Sequence, residues 1–311
     1  MKIRGRARIG SFRRIKKKYG CASLNRFRRR MSSAPAQRAH PIMKAVAGEP
    51  DVRTEDAVAV EEPLEIRVGG RGVAVVMRTP GHDRELAAGF LVTEGMLTRR
   101  DDVLDLVRCA EPGSPTPGAE NIIDVLLAPG AAVDFTRLTR HVFTSSSCGI
   151  CSKATIEAVR TQFPPLAAPL APRRGVLAAL PARLRAAQTG FARTGGLHAG
   201  ALFDAEGNLE AVREDVGRHN ALDKLIGRAF FAEQLPLSGR ILLVSGRVSF
   251  ELMQKALAAG IPCVAAISAP TTAAVEFAQA SGQTLIGFLR PVAGEGGAGM
   301  RMNVYAGTLA G

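Results

Sequence analysis

Apolar and polar positions first alternate clearly through Leu64-Glu-Ile-Arg-Val68 and Val73-Ala-Val-Val-Met77, on either side of Gly69-Gly-Arg-Gly72. Over residues 57–78 this predicts a hairpin. Thr79-Pro-Gly-His-Asp83 then opens a helix from Glu85 to Leu97, with acids in its first turn. Val103–Val107 and Ile122–Leu127 read as strands around a Pro/Gly loop at 111–118. Residues 163–182 are rich in Pro and Ala and read as a linker with helical pieces. Beyond them the pattern becomes regular. His198–Phe203 and Leu209–Arg213 form a hairpin over Asp204-Ala-Glu-Gly-Asn208, and a helix follows from Asn220 to Phe231. Strand and helix then alternate: Ile241–Val244, Phe250–Ala259, Pro262–Ile267, Thr272–Ala280, Thr284–Phe288. Apolar, β-branched strands between helices of this kind imply parallel pairing and an α/β three-layer sandwich. The predicted division is a disordered basic tail over 1–56, a smaller N-terminal α+β part over 57–162, and an α/β part over 163–311.

Composition changes this picture at one end only. The net charge of +13 suggests a nucleic-acid partner until it is located. Residues 1–40 hold 14 Lys and Arg and no acid, which leaves 27 basic against 28 acidic residues in the remainder. The excess is therefore a tail. It reads as a disordered extension, or as sequence ahead of an internal start at Met31 or Met43, in preference to an arm for RNA, DNA or anionic lipid. With no Trp and 5% aromatic residues, a base-stacking platform is not expected. No apolar run reaches membrane-spanning length, and five scattered cysteines do not make a secreted disulfide framework. The expectation is a cytoplasmic protein with no nucleic-acid or membrane partner.

The chemistry concentrates in three places. In Thr144-Ser-Ser-Ser-Cys148-Gly-Ile-Cys151-Ser-Lys153, two thiols sit between a short strand-like run, Arg140–Phe143, and a helix-like run, Lys153–Arg160. Free backbone N–H groups and the helix dipole there would lower a thiol pKa. A sulfur nucleophile, a redox dithiol and half a zinc site all fit. The zinc reading needs two more ligands, which His141, His198, His219 and Cys109 could supply only through the fold, so no metal residue is assigned. The second place is Glu214-Asp-Val-Gly-Arg-His219-Asn-Ala-Leu-Asp-Lys224, with Arg193-Thr-Gly-Gly-Leu-His198. Asp215 is placed to cap the helix. Arg218 and His219 either meet an anion at its N-terminus or form a salt-bridged start with a satisfied histidine. Asp223 and Lys224 read as an ordinary charged helix face. The third place is Ser245-Gly-Arg247 and Gly287-Phe-Leu-Arg290, each at a strand end, where open α/β sheets bind ligands and arginines grip phosphate. Ser268-Ala-Pro-Thr-Thr272 between them reads as a capping turn.

Together with Arg78-Thr-Pro-Gly-His-Asp-Arg-Glu-Leu-Ala-Ala-Gly-Phe-Leu-Val-Thr-Glu-Gly95, these segments resemble, in order and over about residues 57–307, the FdhD family of formate dehydrogenase accessory sulfurtransferases. The resemblance implies a cytidine-deaminase-like fold. It implies a sulfurtransferase that relays sulfur, as a cysteine persulfide, from a cysteine desulfurase to the molybdenum bis(guanine dinucleotide) cofactor serving formate dehydrogenase. The cofactor is bound as client. The persulfide residue maps onto Cys148, with Cys151 auxiliary, and Lys153 would steady the anionic sulfur. The family's cofactor-binding segment maps onto Phe288, Leu289, Arg290, Pro291, Val292 and Ala293, beside Arg247, Arg218 and His219. Its short turn is expanded here to Pro291–Gly299, so its last contact falls on Val292, Ala293 or Arg301. The deaminase His-x-Glu signature is absent, and no deamination is implied. A cofactor-holding chaperone without sulfur chemistry is the main alternative and a zinc-dependent hydrolase a third. A homodimer is compatible with the sequence.

Overall fold

The structure, a computed structural model, describes residues 35–110, 118–131, 133–134, 163–167, 169–292 and 299–311. In chain order its elements are β1 (Gln37–Lys44), β2 (Val52–Ala59), β3 (Glu62–Val68), β4 (Arg71–Arg78), α1 (Asp83–Thr93), β5 (Val103–Arg108) and β6 (Ile122–Leu127). They continue with α2 (Arg174–Ala187), α3 (Thr189–Thr194), β7 (His198–Phe203), β8 (Leu209–Asp215), α4 (Arg218–Phe231) and β9 (Ile241–Val244). The last are α5 (Phe250–Ala258), β10 (Cys263–Ala266), α6 (Thr272–Ser281), β11 (Thr284–Val292) and β12 (Gly299–Ala306).

The principal sheet has six strands in the order β12-β11-β10-β9-β7-β8. The trio β9, β10 and β11 is parallel, as the strand–helix alternation predicts. The flanking strands are antiparallel, because β8 returns from β7 and β12 returns from β11. Every residue of β9 and β10 is buried, the mark of strands covered on both faces. Leu242, Val244, Val264 and Ala266 face a core shared with α4, α5 and α6. Ile241, Leu243, Cys263 and Ala265 face Leu177, Leu180 and Leu184 of α2. These are the three layers of an α/β sandwich. A second sheet, β4-β3-β6-β5, joins the first core through α1.

Three sequence expectations move. The tail expected over 1–56 ends earlier: β1 pairs along its whole length with β2, from Gln37↔Ala59 to Lys44↔Val52. Both faces of this hairpin are largely exposed, so it carries no apolar alternation, and its main-chain ladder holds it. Residues 1–34 lie outside the described residues. Helix α1 starts two residues before Glu85 and ends at Thr93, not Leu97. The chain turns out at Gly95 (φ 71°), and the N–H groups of Met96 and Leu97 both reach back to the Leu91 carbonyl. Finally, the helical piece expected within 163–182 is the helix α2, which contains Pro181 and runs on past that stretch to Ala187.

The crossing of α1 and α4 is a very tight joint. A Cβ on Gly89 would overlap the Asp223 carbonyl oxygen, and a Cβ on Gly227 would overlap that of Glu85. Backbone meets backbone there, leaving no room for a methyl. Gly89→Ala should therefore cost about 1–3 kcal/mol or more in urea unfolding. Gly175→Ala in α2, where a Cβ meets nothing within 4 Å, should be neutral or stabilising by about 0.5–1 kcal/mol. Equal effects at the two positions would contradict the tight joint.

Candidate functional site

The carboxyl ends of β8, β9, β10 and β11 and the amino ends of β7 and β12 share one edge of the six-stranded sheet, because β7 and β12 run against the parallel trio. Ligands of open α/β sheets bind at such an edge. Main-chain bonds stitch its loops into a rim. Ser245 N–H donates to the Ala199 carbonyl (3.0 Å), and Ser245 Oγ accepts from Ala199 N–H (2.9 Å). Val248 N–H donates to the Ala269 carbonyl (3.1 Å), and Phe288 N–H donates to that of Ser268 (3.1 Å). Thr271 caps α6 through its side chain, as the capping-turn reading expects.

At one corner of the rim stand His198, Arg218 and His219. Gly246 packs so closely that a Cβ on it would lie 3.2 Å from His198 Nδ1 and 3.6 Å from Arg218 Cδ. His219 Nε2 lies 3.2 Å from Ser249 Oγ and 3.6 Å from Glu251 Oε2. Burial, followed by the charges of Arg218 and Lys255 and the neighbouring His198, pushes the His219 pKa down to about 3. Burial and Arg218 also lower that of His198, so both rings are held neutral. Burial raises the Glu251 carboxyl above its usual range. Among the described residues, the Nε of Arg218 is buried without a hydrogen-bond partner.

At the opposite corner β11 breaks register between Gly287 and Arg290. Phe288 takes a left-handed backbone (φ 52°), a conformation that side-chain-bearing residues rarely adopt. Its half-buried ring carries the guanidinium groups of Arg290 and Arg301 at 5.2 and 5.7 Å. Arg290 pairs in register with Arg301 of β12. Both, like Arg247 on the β9 loop, are exposed.

Behind the rim lies a buried set of charges. Lys224 Nζ sits 2.6 Å from Asp215 Oδ2 and donates to the Thr79 carbonyl (2.9 Å). Asn220 Nδ2 donates to the Met77 carbonyl (2.7 Å). Lys255 Nζ donates to Asp223 Oδ2 (2.9 Å) and lies 2.9 Å from Thr93 Oγ1. Arg78 and Arg108 both grip Asp83, at 3.0 and 2.6 Å. Burial works to lower the Lys255 pKa, but Asp223, Glu94 and Glu251 outweigh it and keep the ammonium charged.

Two sequence readings are corrected here. Asp223 and Lys224 are not an exposed helix face: both are buried ion-pair partners, since α4 runs between the two sheets. Asp215 does not cap α4. Gly217 occupies the cap without a side-chain bond, and Asp215 binds Lys224, Asn220 and the Gly217 N–H. Among the expected cofactor-binding residues, Arg218 and His219 share one corner and Phe288 and Arg290 the other. The Leu289 side chain belongs to the core against α2 and is fully buried, which leaves its main chain to face the rim. Pro291 is exposed and Val292 ends β11. Ala293, Cys148, Cys151 and Lys153 lie outside the described residues. His198 and Gly246 lay in segments the sequence singled out without being assigned a binding role, and Ser249 and Glu251 were missing altogether. Only the Thr-Gly-Gly-Leu-His run pointed to His198, and no sequence signal marked Glu251. Among the described residues no group of three or more His, Cys, Asp or Glu could hold a metal ion. Among them, too, no helix is long and apolar enough to cross a membrane.

The FdhD/NarQ family matches residues 59–309. The sulfur carrier protein FdhD of Streptomyces avermitilis is 53% identical over 259 residues, covering 81% of this chain and 88% of that protein. The protein of the same name from Mycobacterium tuberculosis is 49% identical over 272 residues, covering 86% and 96%. A crystal structure described as that of a formate dehydrogenase accessory protein from Desulfotalea psychrophila superposes with a TM-score of 0.67 at 21% identity, covering 88% of this chain and 98% of that one.

The neutral His219 ring has a pH consequence. In an unfolded chain it titrates at 6.5, but in the folded protein near 3. The unfolded chain therefore takes the proton first. This stability is fully present above pH 6.5 and is lost as pH falls from 6.5 towards 3, by about 2 kcal/mol at pH 5. Urea unfolding at pH 7 and pH 5 should show His219→Gln losing less stability than wild type by about that amount. A His219 ring whose NMR signals titrate near pH 6.5 would contradict the burial argument.

Proposed function

The chain belongs to the FdhD/NarQ family, and on that premise we infer that it carries sulfur as a persulfide on Cys148 for the maturation of a formate dehydrogenase. The observation that carries this reading is the family match over residues 59–309, which spans the Ser147-Cys148-Gly-Ile-Cys151 motif, with sulfur carrier proteins about half identical to this chain. The donor is a cysteine desulfurase bearing its own persulfide. The Cys148 thiolate attacks the outer sulfur of that persulfide. A new sulfur–sulfur bond forms at Cys148, the donor's bond breaks, and the donor cysteine leaves as a thiolate. When Cys148 passes the outer sulfur on as a neutral atom, its thiolate is regenerated. The cycle is redox-neutral for the protein, which makes it a sulfurtransferase.

The client is the molybdenum bis(guanine dinucleotide) cofactor, and the sheet edge suits it. Phe288, half-buried under two guanidinium groups, offers an aromatic face and positive charge to a nucleotide. Arg247 and the buried, unpartnered Nε of Arg218 add donors for phosphate at the other corner. His219 contributes an uncharged ring beside them. In this reading Phe288, Arg290, Pro291 and the residues after them hold one end of the client, and Arg247, Arg218 and His219 the other.

In a cell lacking its own copy, Cys148→Ala should reduce formate dehydrogenase activity to background, while Cys151→Ala retains part of it. Full activity with Cys148→Ala would leave only a cofactor-holding role.

A further inference from the structure

The helices α5 and α6, with the segment that starts at Phe163, enclose a groove of about 310 Å³. None of Arg218, His219, Arg247, Phe288 or Arg290 lines it, so it is separate from the residues assigned to the client. The rings of Phe250 and Phe277 meet edge to face along it, with centroids 4.9 Å apart, and Phe163, Pro164 and Pro165 form another wall. That wall is held in place. Leu166 N–H donates to the Ser281 carbonyl at the end of α6 (2.9 Å), and the two prolines restrict the backbone before it. Ala280 and Glu276 of α6 border the groove and are exposed. Among the described lining residues Glu276 is the one that carries charge. Apolar, preformed hollows of this size receive the anchoring side chains of a partner.

The groove's place in the chain identifies its occupant. Residues 135–162, which carry Cys148 and Cys151, lie outside the described residues. The chain leaves the described residues after Val133 and Asp134 and returns to them at Phe163. Val133 and Phe163 both pack against the core to which α5 and α6 contribute. The segment that bears the thiols therefore begins and ends on the face of the six-stranded sheet that these helices cover. A protein that hands sulfur to Cys148 has to be held beside that segment, and Phe163, the first described residue after it, is itself a wall of the groove. We propose that the α5–α6 groove is the docking site for the sulfur donor, a protein that seats an apolar side chain flanked by a basic one. The proposal rests on the sulfur-carriage reading above and names the surface through which the donor is held. The apolar anchor leaves water between the phenyl rings and the prolines, and the basic neighbour meets Glu276 at the mouth.

The test uses the full chain and follows persulfide formation on Cys148 from two donors. One is a cysteine desulfurase with cysteine, which has to dock. The other is inorganic polysulfide, which does not. With polysulfide, a sulfur–sulfur bond forms at Cys148 and one in the polysulfide breaks, and a polysulfide one atom shorter leaves with the electron pair of the broken bond. Ala280→Trp fills the groove from an exposed position, and Gln279→Trp, exposed on α6 outside the groove, is its control. Glu276→Lys reverses the charge at the mouth without touching the core. In Ala280→Trp the desulfurase concentration for half-maximal loading should rise about tenfold or more. In Glu276→Lys it should rise about threefold to tenfold at low salt and less at high salt. Both variants should keep the wild-type melting profile and the wild-type rate with polysulfide, and Gln279→Trp should match wild type with both donors. If Ala280→Trp does not fold, Glu276→Lys carries the test. Folded variants loaded by the desulfurase at wild-type concentrations overturn the proposal. So does equal slowing with both donors, which makes the groove a support for the thiol itself, and so does a wild-type dimer that Ala280→Trp splits, which seats a second copy there. Wild-type protein that gains no sulfur from either donor overturns sulfur carriage and the docking with it, so the two readings fail separately.

Discussion

Two lysines buried between two sheets set the terms for this fold. Lys224 meets Asp215 at 2.6 Å and Lys255 meets Asp223 at 2.9 Å, with side chains no more than 4% exposed. Removing one partner of such a pair leaves an uncompensated buried charge and costs about 3–5 kcal/mol. The pairs therefore hold α4, α5 and β8 in one arrangement. They also reach outside the six-stranded sheet: Lys224 donates to the Thr79 carbonyl and Lys255 lies beside Thr93 Oγ1, on the segments flanking and ending α1. The glycine-on-glycine approach of α1 and α4 lets these short contacts form.

The rim inherits its geometry from this joint. Arg218 and His219 occupy the first turn of the helix that Lys224 anchors, and Asp215, which precedes them, is the lysine's partner. His219 meets Ser249 and Glu251 at the start of α5, the helix that carries Lys255. Both arms of the corner thus rest on helices fixed by buried charge. The Phe288 corner is built differently, from a register break and a left-handed residue, so its arginines lie on the surface.

Much of this was legible in the sequence where burial is simple. The strands β9 and β10 are covered on both faces, so their unbroken apolar runs and the intervening helices could be read directly. The Arg-bearing strand ends followed from that alternation. What could not be read depends on distant partners. Asp223-Lys224 has the pattern of a solvated helix face, and only the second sheet and α1 on its far side bury it. The β1–β2 hairpin has no apolar face to announce it. Leu289 sits in a motif whose neighbours are more exposed, yet the register break between Gly287 and Arg290 puts its side chain in the same core as Ile286. His198 and Glu251 join the site only when β7 and α5 converge on α4.

These features describe a chain of the FdhD/NarQ family whose sheet edge offers positive charge and one aromatic face, supported by a rigid joint. On the proposed function, a single thiol, Cys148, carries the sulfur. The most direct measurement is intact-protein mass spectrometry after incubation with a cysteine desulfurase and cysteine. The account predicts that wild-type protein gains one sulfur atom, released by a reducing thiol, and that Cys148→Ala gains none. An undiminished gain in Cys148→Ala, or no gain in wild type, would contradict it.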